Sequence, residues 1–195
     1  RRQRQMCIRD RAYIPILRNR HFMRYELSQT LVMGVMFTYI AASPFIFQKH
    51  YGLSSLTYSI CFGINALGIM AGSLLTTYFP KVEKALSTGV SGFLLMSILV
   101  AATLLSGSSV YAVETALFLL LVCMGMILPT TTALALEPVR ENSGYASAVL
   151  GFMAFLAGGI CSPLAGLGNM LITTSVIILI CAVSTLLLNI RKRTA

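Results

Sequence analysis

The sequence predicts an all-α integral membrane protein, a bundle of six transmembrane helices. Three observations lead there. The 195 residues are 56% hydrophobic and only 11% charged, with a mean hydropathy of +0.80, well outside the mix of a soluble domain. The apolar residues fall into six runs, each near the ~20 residues that cross a hydrocarbon core of ~30 Å. The basic residues collect in alternate connections between those runs.

In chain order the spans are expected over about residues 22–47, 57–79, 85–105, 116–136, 145–167 and 171–190, with ends uncertain by a few residues. Short connections make sequential helices antiparallel neighbours. One set of connections carries Arg18, Arg20, Arg24, Lys81, Lys84, Arg140, Arg191, Lys192 and Arg193, and the other carries only Lys49, beside His50. Nine against one predicts that both termini face the cytoplasm.

The net charge of +9 does not point to nucleic acid. The basic residues sit at span ends and in the first dozen positions, with no basic face interleaved with stacking aromatics. Cys7, Cys61, Cys123, Cys161 and Cys181 include no CxxC pair or Cys/His cluster, so neither a disulfide framework nor a metal site is expected. Catalysis has no foothold: His21 and His50 lie at opposite ends of a span, and paired carboxylates and phosphate loops are missing. No cofactor is expected, and any uphill work must draw on an ion gradient.

Several helices carry small residues at helical spacing. Asn65, Gly68 and Gly72 share one face of the second span, and Ala154, Gly158, Ser162 and Gly166 form a ridge on the fifth. In lipid such ridges let backbones approach closely; they serve static packing or a surface on which helices rock. Pro44, Pro129 and Pro163 interrupt their helices. The carbonyls they free must find other donors, and Ser43 and Thr130 to Thr132 are placed to supply them. Each kink is either static or a hinge.

On the first span Glu26, Gln29, Met33, Met36 and Ser43 recur at three-and-four spacing, with Tyr39 alongside. Methionine adapts to varied apolar shapes and tyrosine offers a flat surface with a polar tip, so this stripe is a candidate substrate surface or an ordinary helix interface. Glu26 reads as the one acidic residue well within apolar sequence, which makes it a candidate functional carboxylate. Its place near Arg24 in the first turn equally fits a hydrated interfacial anchor favoured by the helix dipole. Asn65 is an interhelical hydrogen-bond partner or a pocket residue.

The opening RRQRQMCIRDR (Arg1–Arg11) resembles a translated sequencing adaptor, with a basic linker as the alternative. Native protein upstream of residue 12 is expected on either reading.

Four segments resemble one family. TYIAASPFIFQKHYGLS (Thr38–Ser54), GINALGIMAGS (Gly63–Ser73), LPTTTALAL (Leu128–Leu136) and SGYASAVLGFMAFLAGGICSPLAGLGN (Ser143–Asn169) are similar to helices seven, eight, ten and eleven of the Bcr/CflA drug-resistance transporters of the major facilitator superfamily. The last segment is the most specific. The resemblance runs over about residues 12–190. It implies the carboxy-terminal half of a twelve-helix, proton-driven multidrug antiporter of the bacterial inner membrane, working with an amino-terminal six-helix half and carrying amphipathic or apolar drugs. It also implies that Tyr39, Ser43, Asn65, Met126 and Phe155 contribute to one wall of a central cavity. The GGICSP setting of Pro163 is similar to a glycine- and proline-containing helix of the superfamily's antiporters. GSLLTTYFPKVEK (Gly72–Lys84) keeps only one glycine and two lysines of the superfamily's loop motif, and the acidic first helix of the family has no counterpart. Two further classes stay open, a self-associating six-helix transporter or channel and a non-transporting membrane scaffold.

Overall fold

The computed structural model describes residues 13–190; the segment Arg1–Arg11 and the cluster Arg191, Lys192 and Arg193 lie outside the described residues. A short helical segment over 13–18 leads into six long helices: α1 (Arg20–Pro44), α2 (Ser55–Leu75), α3 (Val82–Leu105), α4 (Val110–Leu136), α5 (Ser143–Ala165) and α6 (Met170–Ile190). No strand is present among the described residues. Five helical stretches are long and apolar enough to cross a membrane, and the longest, Val110–Ala165, holds both α4 and α5. Val139 takes non-helical φ/ψ values of −124° and 28° between them, and the chain folds back there. The chain is a multi-pass, all-helical membrane protein.

Helix ends are set by local chemistry. The Asn19 side chain accepts from the backbone N–H of His21 and Phe22, at 3.0 and 3.2 Å, and Ser54 accepts from Thr57 N–H at 3.1 Å. These caps satisfy donors that no preceding turn can reach. The connection between α3 and α4 turns on Gly107 at φ 65°, a left-handed conformation that costs glycine little.

α1 and α4 form the centre. α1 packs on α4, α5 and α6, while α4 packs on α2 and α3, and α3 also meets α6. α2 is peripheral: Asn65, Gly68 and Gly72 are its buried residues, the same three that share a face by spacing. A Cβ on Gly68 would lie 2.9 Å from the Phe118 ring. At Gly72 it would run into the Val122 carbonyl and sit 3.1 Å from Gly125 Cα, so α2 and α4 touch backbone to backbone. On the other flank α5 meets α1. Gly158 receives the Phe37 ring, which stands 2.6 Å from where its Cβ would be, and Gly34 receives Cys161 Sγ at 3.0 Å. The small ridge of α5 is used unevenly, because Ala154 and Gly158 are buried whereas Gly166 is exposed.

Proline acts differently at its sites. Pro44 cannot donate to the Ile40 carbonyl. Ser43 Oγ reaches that carbonyl at 3.4 Å, and the chain continues in wider π-type turns over Phe45–His50. At Pro129 the carbonyl left over belongs to Gly125. The hydroxyls of Thr130, Thr131 and Thr132 bond instead to the carbonyls of Met126, Ile127 and Leu128, at 2.7 to 3.0 Å. The threonines therefore reinforce the turn beyond the kink, a correction to the expected re-satisfaction of the freed carbonyl. A small cavity of about 160 Å³ lies beside Pro129 and Thr130.

Candidate functional site

The polar residues of α1, α2 and α4 converge toward the end of the bundle that carries Lys49. Asn65 is 1% exposed. Its amide nitrogen donates to Tyr39 Oη on α1 at 3.0 Å and to Glu114 Oε2 on α4 at 3.1 Å. One residue on the peripheral helix thus ties the two central ones. Tyr39 stacks on Phe62 with ring centres 5.8 Å apart and planes 8° from parallel. Phe62 continues to Tyr58 at 6.0 Å and Tyr58 to Phe47 at 6.2 Å. Ser43, fully buried, shares a hydrogen bond of 3.1 Å with Tyr58 Oη. Carboxyl, amide, hydroxyls and aromatic rings stand together, with Tyr39, Ser43, Phe47 and Asn65 buried where α1, α2 and α4 pack.

Glu114 is the member of this cluster that sequence reading misses. Placing the fourth span at 116–136 leaves it in a connection, whereas α4 begins at Val110 and takes it into the second turn. A signal was available: Glu114 is the one charged residue in the 27 of α4.

Glu26 also departs from expectation. It is 0% exposed, which does not fit the hydrated anchor that was one of its two readings, because α1 begins at Arg20 and Glu26 falls in its second turn, facing the packed interior. Oε1 accepts from Thr30 Oγ1 one turn along the same helix at 3.0 Å, and Oε2 is buried with no hydrogen-bond partner. Gln29 of the same stripe links α1 to α4, its Oε1 accepting from Thr132 at 2.9 Å and Thr131 at 3.4 Å.

The other expected site residues do not join the Asn65 cluster. Met36 is half-buried on α1. Met126 is buried at the α3–α4 contact, with its Cβ 3.1 Å from where a Cβ on Gly89 would stand. Phe155 is 73% exposed on α5, tilted against Phe37 at 6.1 Å. Met126 faces α3 because glycine there lets the backbones close; Phe155 faces outward because its helix spends Ala154 and Gly158 on α1.

A concavity of about 520 Å³ opens at the basic end between α1, α3 and α6, lined by Arg24, Glu83, Lys84, Ser87, Ser91 and Asn189 among others. Arg24 Nη2 donates to the Asn189 carbonyl at 2.8 Å and Asn189 Nδ2 to Ser28 Oγ at 3.1 Å, closing α1 onto α6. Among the described residues no group of three or more His, Cys, Asp or Glu could hold a metal ion.

No protein-family model matches the chain. Over 158 residues, 79% of this chain, it is 34% identical to the uncharacterized MFS-type transporter YdgK of Bacillus subtilis (strain 168). The chain spans 39% of that relative's length. The all-helical bundle is consistent with one membrane half of such a protein. Sequence likeness and architecture together support membership in the major facilitator superfamily.

Proposed function

We propose that this chain is the carboxy-terminal half of a proton-driven multidrug exporter of the Bcr/CflA type, working by alternating access with an amino-terminal six-helix half. The observation that carries the reading is the Tyr39–Asn65–Glu114 cluster with its aromatic extension. It combines stacked aromatic rings, of which Phe62 is exposed, with hydrogen-bonding groups and an acidic group within apolar helices, a combination that would suit amphipathic drugs. The open faces of α2 and α5, with Phe155, Leu67 and Ile160 exposed, are where the other six helices and lipid would pack. Substrate lies near the midplane between two bundles in this mode of transport. In this reading the basic end, with Lys81, Lys84 and Arg140, faces the cytoplasm of a bacterial inner membrane, an orientation that the bias of positive charge supports.

The test is drug accumulation in cells expressing the full-length protein. Expression should lower accumulation of an amphipathic dye such as ethidium, and a protonophore should abolish the difference. A difference that survives collapse of the proton gradient would refute proton coupling, and no difference at all would refute multidrug export.

A further inference from the structure

Two acceptors in the cluster are left over by the protein itself. Asn65 Oδ1 and Glu114 Oε1 are both buried without a hydrogen-bond partner, and Asn65 is 1% exposed. Neighbouring titratable groups come from α1 (Tyr39) and α2 (Tyr58 and Cys61), and the outer half of α3, residues 94–105, carries none. Lys49, at the same end of the bundle, stands over the Phe45 ring at 5.3 Å, and among the described residues no cation bonds to Glu114. A carboxylate set in an apolar helix without a counter-ion is expensive. A proton would neutralise it and remove that cost.

We propose that Glu114 is the proton-binding carboxyl of this bundle, and that Asn65 transmits its protonation state to α1 through Tyr39. The inference rests on the transporter reading above. Ionised Glu114 receives a charge-assisted hydrogen bond from Asn65 Nδ2, about twice as strong as the bond a neutral carboxyl would accept. The same nitrogen holds Tyr39, so loading a proton loosens a tie across α1, α2 and α4 at once. The proton is taken from water at the Lys49 end and forms an O–H bond on the carboxyl. When the bundle rearranges, that bond breaks and the proton returns to water on the other side. Glu26 is poorly placed for this role, because its one hydrogen bond is to Thr30 on its own helix and its charge state reports to no neighbour through a bond of its own.

The experiment uses the full-length protein in proteoliposomes with Glu114→Gln, Glu114→Asp, Asn65→Leu and Glu26→Gln variants. Infrared difference spectra across a pH titration should show a protonated-carboxyl band that disappears in Glu114→Gln, persists in Glu26→Gln and shifts in frequency in Asn65→Leu. A purely structural Glu114 would not give that pattern. Ethidium uptake driven by a pH gradient should fall at least tenfold in Glu114→Gln, and Glu114→Asp should restore part of the driven uptake. A carboxyl band unchanged in Glu114→Gln would overturn the proposal, as would undiminished gradient-driven uptake. If the wild-type protein moves no ethidium yet the band maps to Glu114, the export reading fails and the proton site stands. If Glu114→Gln does not fold, the Asn65→Leu frequency shift and Glu114→Asp band decide it.

Discussion

Gly72 of α2 and Gly125 of α4 meet backbone to backbone: a Cβ on Gly72 would lie 3.1 Å from Gly125 Cα, and one on Gly125 would lie 3.0 Å from Ile69 Cα and collide with the Ile69 carbonyl. Neither neighbour is a flexible side chain that could swing away. Gly72→Ala must therefore push the helices apart, at a cost of about 1–3 kcal/mol or more. The same change at Gly63, with nothing within 4 Å, should leave stability nearly unaffected. Unfolding midpoints in mixed micelles, compared for the two variants, check this; equal midpoints would remove the close contact.

The α1–α5 contact should behave as a pair. Gly158→Ala is expected to destabilise by about 1–2 kcal/mol, because the Phe37 ring occupies the space a methyl would need. In a Phe37→Ala background the ring is gone and the Gly158→Ala cost should fall to a few tenths. A double-mutant cycle with a coupling energy near zero would sink the assignment.

Asn65 should show its worth through two partners. Asn65→Ala removes both ties and leaves Glu114 Oε2 buried without a donor, while Tyr39→Phe removes one. Interhelical hydrogen bonds in membranes average about 0.6 kcal/mol and reach about 1.7. Asn65→Ala is therefore expected to cost roughly 1–2 kcal/mol and Tyr39→Phe about 0.5, with the double variant less than additive.

The Pro129 kink carries a kinetic expectation. Pro129→Ala restores the donor for the Gly125 carbonyl, so thermal stability should hold or rise. If the kink is a hinge, dye transport should slow several-fold despite that gain, since hinge positions set conformational steps. Unchanged transport with unchanged affinity would mark the kink as static.

Topology is open to direct measurement. In the full-length protein, a cysteine in place of Lys84 should be labelled by a membrane-impermeant thiol reagent only from the cytoplasmic side. One in place of Lys49 should be labelled only from outside. The reverse pattern would invert the orientation read from positive charge.

Glu114 and Glu26 show why reading along the chain reaches only part of the site. In sequence Glu26 stands in the stripe and Glu114 beside a connection, so the first attracts attention. In space Glu26 bonds only to its own helix, whereas Glu114 meets Asn65 from a residue 49 positions away. Hydropathy locates a span end only to within a turn, and one turn decides whether a carboxyl is in a loop or in a helix.

Composition, run length and charge placement by themselves determined a membrane-spanning bundle of apolar helices, because the bilayer demands about 20 apolar residues and internally satisfied backbone from any chain that crosses it. Spacing alone also marked Asn65, Gly68 and Gly72 as the packed face of α2, since 3.6 residues per turn puts them in line. Which helix that face meets, that Met126 turns to Gly89 and Phe155 to the outside, and that Tyr39, Asn65 and Glu114 close into one cluster were decided by the tertiary structure. Those facts depend on how close two backbones come, and closeness is a property of the pair of helices rather than of either sequence.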